Sequence, residues 1–247
     1  MATRDDVLVE LGLAPLWRAR AGGPADRAGA SRSNKAVVGE AAPAESRVDT
    51  RLARIVALEW SAFAADVDAC TACGLCRTRN RSVPGVGDTR AQWLFVGEAP
   101  GAEEDSRGEP FVGQAGKLLD AMLAAIGLAR GEGVYIANVL KCRPPGNRNP
   151  EPREVDACRP YLDRQIALLG PKVIIALGKS AATTLLGTDA SIASLRGRVH
   201  RYQGVPLIVT YHPAYLLRTL SDKARAWEDL LLARRTMASA ARDELSA

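Results

Sequence analysis

Long apolar runs are missing from this chain. No stretch approaches the roughly 18 uninterrupted apolar residues of a membrane-crossing helix, and Met1-Ala2-Thr3-Arg4-Asp5-Asp6 carries no secretory signal pattern. The expected address is therefore the cytoplasm. No Gly-x-Gly-x-x-Gly follows the first predicted strand, which counts against a dinucleotide-dependent redox enzyme. No unit repeats at solenoid or propeller spacing. Histidine is scarce, at 2 in 247 residues. Cysteine is odd in number, with Cys70, Cys73, Cys76, Cys142 and Cys158. In a chain read as cytosolic that argues against a disulfide framework and for a metal site.

What is present is ordinary for a globular protein: 47% apolar and 25% charged residues, enough for one good-sized domain and an appendage. The net charge of +5 and a pI of about 9.1 favour an acidic partner such as nucleic acid. Residues 1–48 form an N-terminal extension. Val7 to Trp17 holds a short apolar patch, and Arg18 to Arg47 is rich in Ala, Gly, Ser, Arg and Pro, a composition that reads as flexible linker. The main domain is set at 49–247.

Within it, helical spacing from Leu52 to Val67 leads into Cys70, and the basic segment Cys76 to Gln92 reads as loop. Strands are expected at 93–97, 134–139, 172–177, 198–203 and 206–211. Helices are expected at 115–127, 152–169, from near Ser180 and from about Lys223. Strands alternating with helices imply an α/β fold with a mostly parallel sheet covered on both faces. In such sheets ligands bind just beyond the carboxyl ends of the strands. The Gly/Pro-rich, acidic loop 97–113 lies at such an end.

Three strand ends offer polar groups to one crevice: Glu98, Asn138 and His212. Phe111 adds an aromatic ring, held between Pro110 and Gly113. Converging groups of this kind are what an active site needs. Cys70-x2-Cys73 and the pair Cys142 and Cys158 can meet as four thiolates around zinc or an iron–sulfur cluster, with Cys76 competing with Cys73. Basic residues cluster beside both pairs (Arg77, Arg79 and Arg81; Lys141, Arg143, Arg148 and Arg153) and again at Arg196, Arg198, Arg201 and Arg218. Such patches suit a phosphate backbone.

Set side by side, these pieces resemble the family 4, iron–sulfur uracil-DNA glycosylases. The matching residues are Cys70-Thr71-Ala72-Cys73, Val96-Gly97-Glu98-Ala99-Pro100-Gly101 with Glu104-Asp105, and Pro110-Phe111-Val112-Gly113 with Ala115-Gly116. Asn138 to Pro150, Cys158 and His212-Pro213-Ala214-Tyr215-Leu216-Leu217-Arg218 complete them. The resemblance spans about residues 66–235 and leaves the N-terminal 65 residues aside. It implies a three-layer αβα fold with a central, mostly parallel four-stranded sheet, and hydrolysis of uracil from single- or double-stranded DNA. It also implies a 4Fe-4S cluster on Cys70, Cys73, Cys142 and Cys158, with Cys76 a spare thiol. Replication or repair proteins would be reached through the extension.

The same resemblance distributes roles. Phe111 stacks on the flipped base, Asn138 reads its N3–H and O4, His212 donates towards O2, and Glu98 orients water or stabilises the sugar cation. Ala99 stands beside the base where family 1 enzymes carry a Tyr that blocks thymine, so the shape around Glu98, Ala99 and Phe111 excludes thymine in another way or excludes it less well. Lys141, Arg143 and Arg148 would contact DNA, and Leu216, Leu217 and Arg218 are candidates for the wedge that replaces the flipped nucleotide. A related branch traps uracil-DNA covalently through a His in an insert that the 142–158 stretch lacks, so turnover without trapping is expected.

Overall fold

The computed structural model describes residues 44–245, with side chains from 50 to 240. The apolar patch Val7 to Trp17, and the linker up to residue 43, lie outside the described residues. Helix α1 (Ala44–Val56) is followed by α2 (Trp60–Asp68), so the helical pattern read from Leu52 to Val67 is broken at 57–59. Ile55, Leu58, Phe63 and Val67 pack on Tyr161 in a small core of their own.

The chain then runs through β1 (Val86–Gly87), β2 (Trp93–Gly97), α3 (Ala102–Arg107), α4 (Gln114–Ala125), β3 (Val134–Asn138), α5 (Pro152–Leu169) and β4 (Val173–Leu177). It continues with α6 (Lys179–Leu186), α7 (Ile192–Leu195), β5 (Val199–Tyr202), β6 (Val205–Thr210), α8 (Pro213–Leu216) and α9 (Lys223–Leu245). The sheet order is β1-β3-β2-β4-β6-β5. The inner four strands are parallel, and β1 and β5 add antiparallel edges. The sheet therefore has six strands where four were expected, the parallel four being its centre. One edge was missed because two residues carry no periodicity. The other closes a two-residue turn in which Gln203 and Gly204 both have positive φ, the geometry that suits the twist of a hairpin.

Alternation along the buried strands builds the layers. Phe95, Ile136, Ile175 and Ile208 face α4 and α9 through Leu119, Leu123, Leu230 and Ala233. Leu94, Val96, Ile174, Ala176 and Val209 face α5 and α6 through Leu162, Ile166, Ala182 and Leu185. Each such large side chain contributes roughly 1.5–3 kcal/mol by leaving water, so the strand tips stand on a stiff platform. No helix among the described residues is long and apolar enough to cross a membrane.

Candidate active site

The tips of the parallel strands are level because the register pairs Gly97 of β2 with Asn138 of β3. Backbone bonds extend that pairing past the sheet, from Val139 N to Gly97 O and from Leu140 N to Glu98 O, both 3.0 Å. Glu98, Asn138, Phe111 and His212 thus line one open cavity of about 470 Å³, together with Ala99. Gly97 is required here. A Cβ would stand 2.4 Å from Asn138 Oδ1 and 2.6 Å from the Phe111 ring.

Phe111 is held in an unusual backbone conformation, with φ of 56°. That costs a bulky residue about 1–2 kcal/mol, and the neighbourhood enforces it from two sides. The Glu104 carboxylate accepts from Val112 N (3.0 Å), Gly113 N (3.2 Å) and, at its other oxygen, Gly101 N (3.0 Å). On the opposite side Arg130 donates to Pro110 O at 3.0 Å and Phe111 O at 2.9 Å. Gly116 leaves room below, since a Cβ there would fall 1.8 Å from Phe111 O. The ring lies on His212 with centroids 5.4 Å apart and planes at 30°.

His212 caps α8. Its Nδ1 accepts from Ala214 N at 3.1 Å, so the neutral ring carries its proton on Nε2, free to donate into the cavity. Burial, reinforced by the Arg218 charge, pushes the imidazole down to about 4, against a smaller opposing pull from Glu104. The β4 tip supplies no functional side chain; it supplies space. Gly178 has φ of 90°, and a Cβ on it would lie 2.8 Å from His212 Cβ.

Asn138 is buried, and its Oδ1 has no hydrogen-bond donor. Such an orphan costs on the order of 1–3 kcal/mol unless a ligand completes it. Glu98 is partly buried, and burial pushes its carboxyl up from the usual range. No described side chain donates to it.

Two residues expected at the DNA surface point inward. Lys141 is 1% exposed; its Nζ donates to Asn138 O at 2.8 Å and to Gln165 Oε1. It is a strut under Asn138 and offers no charge to a phosphate. Leu216 is also 1% exposed and packs in the core with Leu230, because α8 is a single turn that turns this side chain down. Leu217 is 43% exposed, and Arg218 beside it reaches the cavity rim. Arg143 donates to Asn147 Oδ1 at 2.7 Å. Arg148 is on the rim but forked onto Glu154 at 2.9 and 2.6 Å.

All five cysteines line a second void, with Arg79, Lys141 and Tyr161. Arg79 donates to Cys142 Sγ at 2.9 Å and the Lys141 backbone N–H to Cys158 Sγ at 3.2 Å. Arg51 approaches Cys70 Sγ at 3.8 Å. Soft donors ringed by N–H groups and cations fit an inorganic core on thiolates.

The sequence reading missed Glu104 and Arg130 as supports. Glu104, three residues past Gly101 at a helix start, could have been read as the reciprocal half of a capping arrangement. Arg130 carried no signal, since its targets are backbone carbonyls nineteen and twenty residues away.

The family model of the uracil DNA glycosylase superfamily matches residues 84–231. The chain is 48% identical to the type-4 uracil-DNA glycosylase of Archaeoglobus fulgidus over 160 residues, covering 62% of this chain and 80% of that one. It is 47% identical to the type-4 uracil-DNA glycosylase of Thermotoga maritima over 161 residues (64% and 83%). With that of Pyrobaculum aerophilum it shares 45% over 171 residues (66% and 87%). A match of this extent, on the segment that builds the cavity, shows that the chain belongs to the uracil DNA glycosylase superfamily.

Proposed function

We propose that the chain hydrolyses the N-glycosidic bond of uracil in DNA, releasing uracil and leaving an abasic site for base excision repair. The observation that carries this reading is the buried, donorless Asn138 Oδ1 in a cavity lined also by a stacking ring and a neutral imidazole. Uracil extruded from the helix, at a cost of a few kcal/mol, stacks on Phe111. Its N3–H completes Asn138 Oδ1, and the Asn138 amide donates to O4. Cytosine inverts that order and leaves buried groups unpaired, which is how such a site rejects it. As the C1′–N1 bond breaks, its electron pair moves into the uracil ring. His212 Nε2–H meets the charge that gathers on O2. Water adds its oxygen to C1′ and its proton goes to the departing uracil anion, while the Glu98 carboxylate orients that water or steadies the oxocarbenium-like sugar. Ala99 is the small wall beside Glu98, so thymine is excluded by the shape around Glu98, Ala99 and Phe111 or is excluded less well than a Tyr would exclude it.

Arg143, Arg148 and Arg218 contact the backbone, and Leu217 is the apolar wedge. We take residues 49–247 as the catalytic domain and 1–48 as an extension that reaches replication or repair proteins. A DNA substrate accords with a cytoplasmic address. The test is direct. Pure protein with single- and double-stranded DNA bearing one uracil is expected to give alkali-labile sites at that uracil only. Intact strands in both would overturn the reading.

Cys70, Cys73, Cys142 and Cys158 are proposed to hold a 4Fe-4S cluster, which stiffens the loops on either side and takes no part in hydrolysis. Among the described residues no three His, Cys, Asp or Glu side chains are set to hold a single metal ion, although the thiols share one void. Purified protein should contain iron and sulfide in equal amounts, with a visible absorption that dithionite bleaches and Cys142→Ser abolishes. Zinc with no sulfide would refute this.

A further inference from the structure

We infer that Arg130 is a positioning residue for the base-stacking ring, an inference that rests on Phe111 receiving the extruded uracil. Arg130 lies beyond α4, outside the cavity, and touches none of the polar side chains that line it. Every nitrogen of its guanidinium is nevertheless committed to the Phe111 segment or to its own anchor. Nη1 and Nη2 reach the consecutive carbonyls of Pro110 and Phe111 at 3.0 and 2.9 Å. Nε and Nη2 grip Asp120 Oδ1 at 3.0 and 2.9 Å, which fixes the fork to the middle of α4.

The left-handed backbone at Phe111 is what makes the fork matter. With that backbone the Phe111 carbonyl packs directly on Gly116 in the first turn of α4. Glu104 holds the amides after Phe111; among the described residues Arg130 alone holds the carbonyls at and before it with a side chain. Released from the fork, Phe111 relaxes towards negative φ, and its ring swings off the Gly97 face. The planar fork reaches two neighbouring carbonyl oxygens while still holding Asp120, a set of contacts that an ammonium reproduces only in part.

The experiment is a double-mutant cycle on uracil-containing DNA, read as single-turnover excision rate and as affinity for abasic DNA. Arg130→Met is expected to slow excision on the order of ten-fold, the lower range for loss of base stacking. Affinity for abasic DNA should stay within about two-fold, because the phosphate contacts are untouched. In a Phe111→Ala background the same change should add less than about two-fold, since its target is gone. Should Arg130→Met fold poorly, Arg130→Lys and Asp120→Asn carry the same cycle, each with a smaller loss that also vanishes in Phe111→Ala. An undiminished loss in the Phe111→Ala background, or no loss at all while Phe111→Ala is slow, would overturn the role of Arg130. A Phe111→Ala enzyme as fast as wild type would instead remove the stacking reading on which it rests.

Discussion

Replacing Asn138 with alanine should slow single-turnover excision by a factor on the order of 10³, while the protein melts no earlier than its parent. The rate loss follows from two hydrogen bonds to the base, one accepted from N3–H and one donated to O4 as charge grows; one such donor alone is worth about 10²–10³. The stability outcome is the less obvious half. Asn138 Oδ1 is buried and unpaired in the free protein, and removing an orphan of that kind relieves about 1–3 kcal/mol. The small cavity that alanine leaves takes back a similar amount. Thermal melts of the two proteins, beside rapid-quench kinetics, decide the matter. A variant that melts much earlier would mean that the amide is part of the scaffold, and a rate within ten-fold of wild type would mean that it does not read the base.

His212→Asn should cost on the order of 10²–10³ in the same rate, the size of effect seen when one preorganised donor is lost. Asparagine is chosen because it still caps α8 through its own oxygen, so Ala214 N keeps its acceptor, while the shorter amide withdraws the donor from O2 and the ring from Phe111. The pH dependence follows from burial. With the imidazole pushed down to about 4, the wild-type rate should show no inflection near the ordinary 6.5. Its acid limb should follow Glu98, whose carboxyl burial pushes up. Stability has a definite sign. The folded value of His212 lies below the unfolded one, so its neutral form contributes fully above 6.5 and progressively less as pH falls towards 4. The stability gap between wild type and His212→Asn should therefore shrink on acidification, by up to roughly 3 kcal/mol. A rate inflection near 6.5 that vanishes in the variant would contradict a neutral imidazole.

Much of the platform was legible from residues alone. Trp93 to Gly97 and Val173 to Leu177 are continuous apolar runs because both faces of an inner parallel strand are covered. Glu98, Asn138 and His212 could be named because each is a polar residue at or just past the end of such a run. What stayed hidden is directional. Lys141 and Arg143 look alike in sequence, yet one turns under β3 to Asn138 O and the other lies near the surface. Leu216 and Leu217 differ only by the rotation of a one-turn helix. Arg130 acts on carbonyls, which every residue possesses, so no side-chain pattern announces its target. Local period fixes which residues are inside a regular element, and it says nothing about those just past its end.

The two antiparallel margins of the sheet have a bearing on how the protein behaves at high concentration. β1 offers two residues only, and β5 offers four, flanked or interrupted by exposed Arg198 and Arg201. A ladder so short, or so charged, is a poor template for strand addition by a second molecule. Among the described residues the six-stranded sheet thus ends in two blunted borders, which disfavours edge-to-edge self-association while the apolar parallel strands stay enclosed between them.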